Sequence, residues 1–206
     1  MVVGFLVPRS IIEKLIYNED YEEIDAAMSD SNVGGRKKRN IRDNLLVIYA
    51  CINQTIRNKK QLDIQFYDLS KCFDSMWMEE SMNDLYDAGV KDRNFAVISL
   101  LNDKCEAKIK TPVGDTDEFE MNRIEMQGTV IAPLKCAVQI DTIGKYCYTF
   151  NTGLYEYKDS CYVPPLAMID DLAGISECGN NSLLLNSIIN AKIEAKKLQF
   201  NIKKML

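Results

Sequence analysis

Apolar residues recur at helical spacing in several stretches of the chain and alternate at strand spacing in others. Over 40–58, Ile41, Leu45, Ile48, Ile52 and Ile56 return every three or four residues, which predicts a helix. Asn40 can cap it and "NKK" ends it. In 9–27, acids alternate with Ile11, Ile12, Leu15, Ile16 and Ile24, a pattern for one or two short amphipathic helices. "QLDIQFYDLS" (61–70) sets Leu62, Ile64 and Phe66 against Asp63 and Gln65, the period of a strand that ends at Asp68. Ser75 to Ala88 reads as a helix stopped by Gly89, its Trp77, Met78 and Met82 stripe facing the core, and Phe95 to Leu101 continues helical. Residues 106–121 predict a hairpin turning at "VGDTD". A helix starts near Pro133. Residues 146–163, rich in Tyr, Thr and Val, predict strand with a turn. The stretch 180–200 predicts a helix with Leu184, Ile188, Ala191 and Ala195 on one side. Strands and helices intermingle, so the expected class is α+β, a mainly antiparallel sheet backed by helices.

The 206 residues suffice for one domain, or one with a small appendage. The composition, 47% apolar and 27% charged, is that of a globular chain. No apolar run nears the length of a membrane span, and the opening "MVVGFLVP" lacks the basic front of a signal peptide. Seven widely spaced cysteines without a CxxC argue against a disulfide framework or a zinc site, and for a reducing, intracellular compartment. There is no histidine, which removes Ser-His-Asp and Cys-His catalysis and the usual zinc hydrolases. The net charge of −5 argues against nucleic-acid binding by the chain as a whole. "GGRKKRNIR" (34–42) nevertheless gathers five basic residues, and lysines cluster near the C-terminus.

Carboxylates are the chemistry that remains. Asp170 and Asp171 sit side by side between apolar flanks in "PPLAMIDDLAGIS" (164–176), a pattern for the tight turn of a hairpin. If that hairpin pairs with the strand ending at Asp68, three carboxylates meet at one edge of a sheet. Two like charges about 4 Å apart repel by roughly 4 kcal/mol at an effective dielectric near 20. Oxygen-only ligands in such a cluster suit Mg²⁺ or Mn²⁺, and two ions could serve phosphoryl transfer. An Asp-Asp pair is also common in exposed turns, so the pair alone decides nothing.

Five motifs in order then carry a resemblance. "FYDLSKCFDSMW" (66–77), "MQGTVIAPLKC" (126–136), "MIDD" (168–171) and "KKLQFNIKKM" (196–205), preceded by "SDSNVGGRKKRNIRDNL" (29–45), resemble the motifs of non-LTR (LINE-type) retrotransposon reverse transcriptases. The resemblance spans most of 29–205 and implies a polymerase palm with part of the fingers: 1–60 as partial, helical fingers and 61–206 as palm. The early finger strands and the thumb would belong to a longer polyprotein.

The same resemblance implies roles. Asp68 and Asp170 would hold two Mg²⁺ or Mn²⁺ ions, with Asp171 beside them. Phe73 would be a steric gate against the ribose 2′-hydroxyl, or simply pack in the core. Gln127 and Gly128 would line the dNTP pocket, and Lys203 or Lys204 would lie near the leaving pyrophosphate. Arg36, Lys37 and Arg39 would contact nucleic acid or phosphate. The implied partners are an RNA template with a DNA primer and a dNTP, and the implied activity is RNA-directed DNA polymerase. Two departures stand out: Met168 and Ile169 precede the aspartates, and Ala132 replaces an expected Ser. Tyr146, Tyr148, Tyr155 and Tyr157 are better read as strand packing than as base stacking. An inactive fragment serving as a binding module and a two-metal nuclease remain as alternatives.

Overall fold

The computed structural model describes residues 3–103, 106–120, 129–151, 153–158 and 161–198. The apolar opening enters one long helix, α1 (Val3–Ala27), rather than preceding one or two short ones. After a loop over 28–40 comes α2 (Ile41–Asn58), capped as its sequence predicts. The Asn40 side chain accepts from Arg42 N–H at 2.9 Å, and Asp43 accepts from Asn40 N–H at 3.1 Å. Lys59 ends the helix in the left-handed region. Then follow β1 (Leu62–Asp68), a one-turn α3 (Cys72–Ser75), α4 (Met78–Asp87) and α5 (Asp92–Asn102). The predicted helix over 75–88 is thus broken: Met76 and Trp77 are extended, and Met76 is wholly buried at the break.

The hairpin over 106–120 is two nested ladders. β2 (Glu106–Ala107) pairs with β5 (Phe119–Glu120), and β3 (Lys110–Thr111) pairs with β4 (Gly114–Asp115). Its turn falls at Pro112–Val113, earlier than "VGDTD" suggests, because Thr111 faces Gly114. α6 (Ala132–Phe150) absorbs Tyr146 and Tyr148, where β-rich composition predicts strand. Burial of almost its whole first four turns overrides that local preference. Only β6 (Tyr155–Tyr157) and β7 (Cys161–Val163) realise the predicted strands. β8 (Leu166–Met168), β9 (Asp171–Glu177) and α7 (Asn180–Ala195) complete the described chain.

β1, β9 and β8 form one antiparallel sheet with β9 in the middle. Alternation sends Tyr67, Ala167 and Leu172 to one face, where they pack with Cys136 and Ile140 of α6 and with Leu185, Ile189 and Ile193 of α7. The apolar side of α7 is therefore Leu185–Ile189–Ile193, one position on from the predicted Leu184 set; Leu184 is exposed. Leu166, Ala173 and Ile175 take the other face, against Cys51 of α2 and against Tyr155 and Val163 of the β6–β7 hairpin. A third cluster joins α1, α4, α5 and α6.

α2 docks in an unexpected orientation. Its buried residues are Asn44, Cys51 and Thr55, while Ile41, Leu45, Ile52 and Ile56 of the helical stripe are exposed. Asn44 donates to Ala167 O at 3.1 Å, and Thr55 Oγ1 donates to the Tyr155 hydroxyl at 2.9 Å. Both polar groups are satisfied inside, which removes the usual cost of burying them.

The 28–40 loop is fastened to β8. Val33 N–H donates to Ala167 O at 3.0 Å and Ala167 N–H donates to Ser31 O at 2.9 Å, forming a parallel bridge at Asn32. The buried Asn32 side chain donates to Ala137 O at 2.7 Å and accepts from Gly34 N–H at 3.0 Å. Glycine is required at 34 for space: an added Cβ would lie 2.2 Å from the backbone nitrogen of Ile169. Arg36 is drawn inward beside it. Its Nε donates to Asp25 at 2.7 Å, and its Nη groups donate to the carbonyls of Asp25, Ser29 and Asn32.

Two outcomes are expected. Gly34→Ala should cost about 1–3 kcal/mol in urea unfolding, because the Ile169 backbone must move to admit the methyl group; an unchanged midpoint would contradict the close approach. The Arg36 guanidinium holds the Asp25 carboxyl below its ordinary value of 3.8. A depressed carboxylate stabilises the fold fully above 3.8 and loses that effect as pH falls through its lower folded value. The stability gap between the native chain and Asp25→Asn should therefore be widest above pH 5 and close in acid, as read from unfolding midpoints.

Candidate active site

β1 ends at Asp68 and β9 begins at Asp171, and the two residues face each other across the ladder. Met168 of β8 pairs with Asp171 from the other side. Residues directly opposite in an antiparallel pair project to the same face. Asp68, Asp171 and Met168 therefore share the α2 side of the sheet, with Phe66 one alternation back.

Asp170 sits in the two-residue turn, Ile169–Asp170, between β8 and β9. Ile169 has φ +57°. A β-branched residue in the left-handed region is an outlier, costing about 1–3 kcal/mol, and such strain gathers at functional sites. The turn holds this shape because Ile169 packs on the core below and Gly34 presses on its backbone.

The three aspartates predicted to act together are thus brought to one end of the sheet by strand register. Two carboxylates on facing positions and a third in the adjoining turn are the oxygen donor set that suits a hard divalent cation. Among the described residues, no group of three or more acidic or cysteine side chains is drawn close enough to hold an ion.

A cavity of about 300 Å³ adjoins the aspartates, lined by Ile41, Leu45, Phe66 and Met168 together with Asp68 and Asp171. Its two walls, α2 and the sheet, come from segments distant in sequence, so nothing in the sequence announces it. Phe73 follows the left-handed Lys71 on α3 and lies half-buried against the core that contains Tyr67, Cys72 and Cys136.

The remaining predicted residues separate from this end or from one another. Arg36 is the clearest correction. Its donors are spent on Asp25 and on three backbone carbonyls, so little of the guanidinium is left for a phosphate. Arg39 pairs with Asp30, and the Lys37 ammonium lies 4.0 Å from the centre of the Tyr21 ring. Of the five basic residues of the run, Arg36 and Arg39 are thus paired with acids of the same chain. Gln127, Gly128, Lys203 and Lys204 lie outside the described residues. Just after them, Val130 N–H donates to the buried Glu13 at 2.9 Å, and Ala132 begins α6 fully buried. Gly34 and Ile169 escaped the sequence reading in these roles; "VGGR" and the unusual "MIDD" were the only traces of them.

The chain matches no protein-family model and no curated protein by sequence. Among solved structures it resembles telomerase. The telomerase from Candida albicans, in complex with a fragment of telomeric RNA, superposes with a TM-score of 0.61 at 12% identity over 98% of this chain. Telomerase from Candida tropicalis, also in complex with such a fragment, gives 0.67 at 13% identity over 95% of this chain, and its apo form gives 0.67 at 12% over 98%. The chain spans about a third of those proteins: 34%, 32% and 36% of their lengths respectively. Telomerase is a reverse-transcriptase-related enzyme, and at this identity the likeness is one of fold: the chain has a reverse-transcriptase-like α+β fold.

Proposed function

We propose that the chain is the palm, with part of the fingers, of an RNA-directed DNA polymerase. The carrying observation is the register that sets Asp68 opposite Asp171, with Asp170 in the strained turn beside them. The telomerase-like fold supports the class, and the order of the five motifs narrows it toward the non-LTR reverse transcriptases. The reaction is attack of a primer 3′-hydroxyl on the α-phosphorus of a dNTP, with pyrophosphate leaving and RNA as template. The whole polymerase's partners, including the remaining fingers and the thumb, belong to this proposal.

In it, Asp68 and Asp170 hold two Mg²⁺ or Mn²⁺ ions, and Asp171 completes the negative end of the sheet. Bound there, the ions would lower the pKa of the attacking hydroxyl and neutralise the triphosphate. Met168 lies on the same face as Asp68 and Asp171 and offers an apolar surface to the primer end. Phe73 bounds the sugar of the incoming nucleotide. Gln127 and Gly128 line the base pocket, and Lys203 or Lys204 meets the leaving phosphates. Of the basic loop, Lys37 and Arg39 have side chains that can be freed for phosphate, while Arg36 holds the loop in shape.

One observation favours a second reading, a catalytically inactive module that binds nucleic acid: the described carboxylates are not gathered into a metal-holding set. Primer extension separates the two. In a chain long enough to extend a primer on RNA, Asp68→Ala or Asp170→Ala should lower extension by roughly 10³-fold or more, about 4 kcal/mol of transition-state stabilisation. Unfolding midpoints measured beside the extension assay check that each variant folds. Extension that survives Asp170→Ala would sink the assignment. Chelation of divalent ions should abolish the same activity.

Phe73→Val should raise ribonucleotide incorporation relative to deoxyribonucleotide in the same assay. Unchanged discrimination would leave Phe73 a packing residue only.

A further inference from the structure

Cys72 and Cys136, 64 residues apart in sequence, meet in the core shared by the sheet, α6 and α7. Their sulfur atoms lie 3.1 Å apart. Both residues are thiols, and both are buried. Cys72 opens α3, the single turn after β1, and Cys136 lies in the first turns of α6. The contact is close for two unbonded sulfurs. It is about 1 Å longer than the roughly 2.05 Å of a disulfide bond.

The other described cysteines are placed apart from this pair. Cys147 lies eleven residues further along α6, about 16 Å from Cys136. Cys51 belongs to the core on the opposite face of the sheet. Cys161 and Cys178 are exposed, on β7 and just after β9. Burial pushes the thiols of Cys147 and Cys51 up, to about 12 and about 11, which keeps them protonated and inert.

A buried sulfur pair can serve three ends. A zinc ion asks for four ligands, and among the described residues no set of three or more cysteine or acidic side chains is gathered to hold an ion. Packing alone needs a small apolar group at each position and not sulfur in particular. Oxidation uses both sulfurs and their closeness. Access to Cys72 is short: Lys71 before it and Asp74 two residues after it are exposed. Lys71 caps α3 in the left-handed region, at φ +48°, without a side-chain hydrogen bond. A four-residue helix held in this way is among the first elements to open locally. Hydrogen peroxide is little larger than water.

We propose that Cys72 and Cys136 form an oxidation site, closed to a disulfide by hydrogen peroxide and reopened by thiol reductants. One thiolate attacks a peroxide oxygen and breaks the O–O bond, leaving a sulfenic acid and hydroxide. The second thiolate attacks that sulfur and displaces a second hydroxide. The two protons lost from the thiols convert both hydroxides to water. In sum, two thiols are oxidised to one disulfide and one peroxide is reduced to two waters. Such a bond in a reducing compartment is transient, as redox-sensing disulfides are.

The bond clamps α3 to α6. Phe73 follows Cys72 directly, and Asp68 lies four residues before it, so a movement of about 1 Å on closure bears on both. A displacement of that size can cost an enzyme about 100-fold in rate. Only this effect on catalysis rests on the function proposed above; the bond itself does not.

The bond is tested on the native 206-residue chain. Exposed thiols are first capped with iodoacetamide. After graded hydrogen peroxide and a catalase quench, the chain is denatured, treated with N-ethylmaleimide, digested and mapped by mass spectrometry. The peptides of Cys72 and Cys136 should leave the maleimide-labelled pool in equal amounts. They should appear as one linked species, two hydrogens lighter than their sum, and dithiothreitol should return both. Cys51 and Cys147 should stay labelled. In a longer chain that extends a primer, peroxide should lower extension about tenfold or more, and dithiothreitol should restore it. C136S should remove the peroxide effect, with C136A in its place if the serine variant does not fold.

Cys72 and Cys136 still fully labelled at a dose that oxidises Cys161 in the uncapped chain would overturn the site. Links through Cys51 or Cys147 in its place, or unequal loss to sulfinic acid, would do the same. No linked species, beside extension that depends on Asp170, would overturn this inference alone. A linked species beside extension that is indifferent to Asp170 would overturn the polymerase reading alone. Asp170-dependent extension that runs equally fast oxidised and reduced would overturn the clamp.

Discussion

The short parallel contact between residues 31–34 and β8 is the constraint on which the aspartate end depends. β8 is three residues long and lies at the edge of its sheet. An edge strand that short has unmet backbone groups on its outer side and little to hold it in place. Ser31 and Val33 satisfy those groups at Ala167, and the Asn44 amide adds a second bond to the same carbonyl. Each such bond is worth only about 0.5–1.5 kcal/mol net, but leaving the buried groups unmet would cost more. The contact also brings Gly34 against Ile169, so the loop bears on the turn that carries Asp170. Glycine at 34, a left-handed isoleucine at 169 and a buried asparagine at 32 are parts of one arrangement.

Charge is used in the same way elsewhere, to fix elements that apolar packing leaves undetermined. The Arg36 guanidinium closes the 28–40 loop onto the end of α1 through Asp25. Asp141 of α6, almost fully buried, accepts from Ser29 N–H at 3.1 Å and pairs with Lys145 at 2.9 Å. At the far end of the chain, Lys196 reaches Asp84 at 2.6 Å and Glu80 at 3.2 Å, tying the end of α7 to α4. Burial pushes the Asp84 carboxyl up, against the pull of Lys196 in the other direction. A buried pair of this kind contributes little net stability when intact but is costly to break, which suits a contact that sets position.

Most of the helical and strand periods of the chain were legible, and so was the end of the sheet at which Asp68 and Asp171 face each other. Asn40 as a cap, β1 ending at Asp68 and the turn at Asp170 all follow from local rules of spacing and turn chemistry. What local rules could not report was which face of an element would find a partner. Of the regular apolar stripe of α2 only Ile48 packs on the core, while Ile41, Leu45, Ile52 and Ile56 stay exposed, because Ala167 and Tyr155 offer hydrogen bonds to Asn44 and Thr55 on the neighbouring face. α7 is rotated by one residue from its predicted side for a related reason: Leu185 and Ile189 fit the sheet face that Tyr67 and Leu172 present.

By itself, then, the sequence determined the kinds of element, their order and the residue types available for chemistry, because backbone period, caps and turns depend on neighbours within a few positions. Tertiary structure decided the rest. It paired Asp68 with Asp171, removed Arg36 from the surface and opened a cavity between α2 and the sheet. Each of these depends on residues far apart in the chain, whose meeting is set by strand register and by which polar groups must be satisfied when a face is buried.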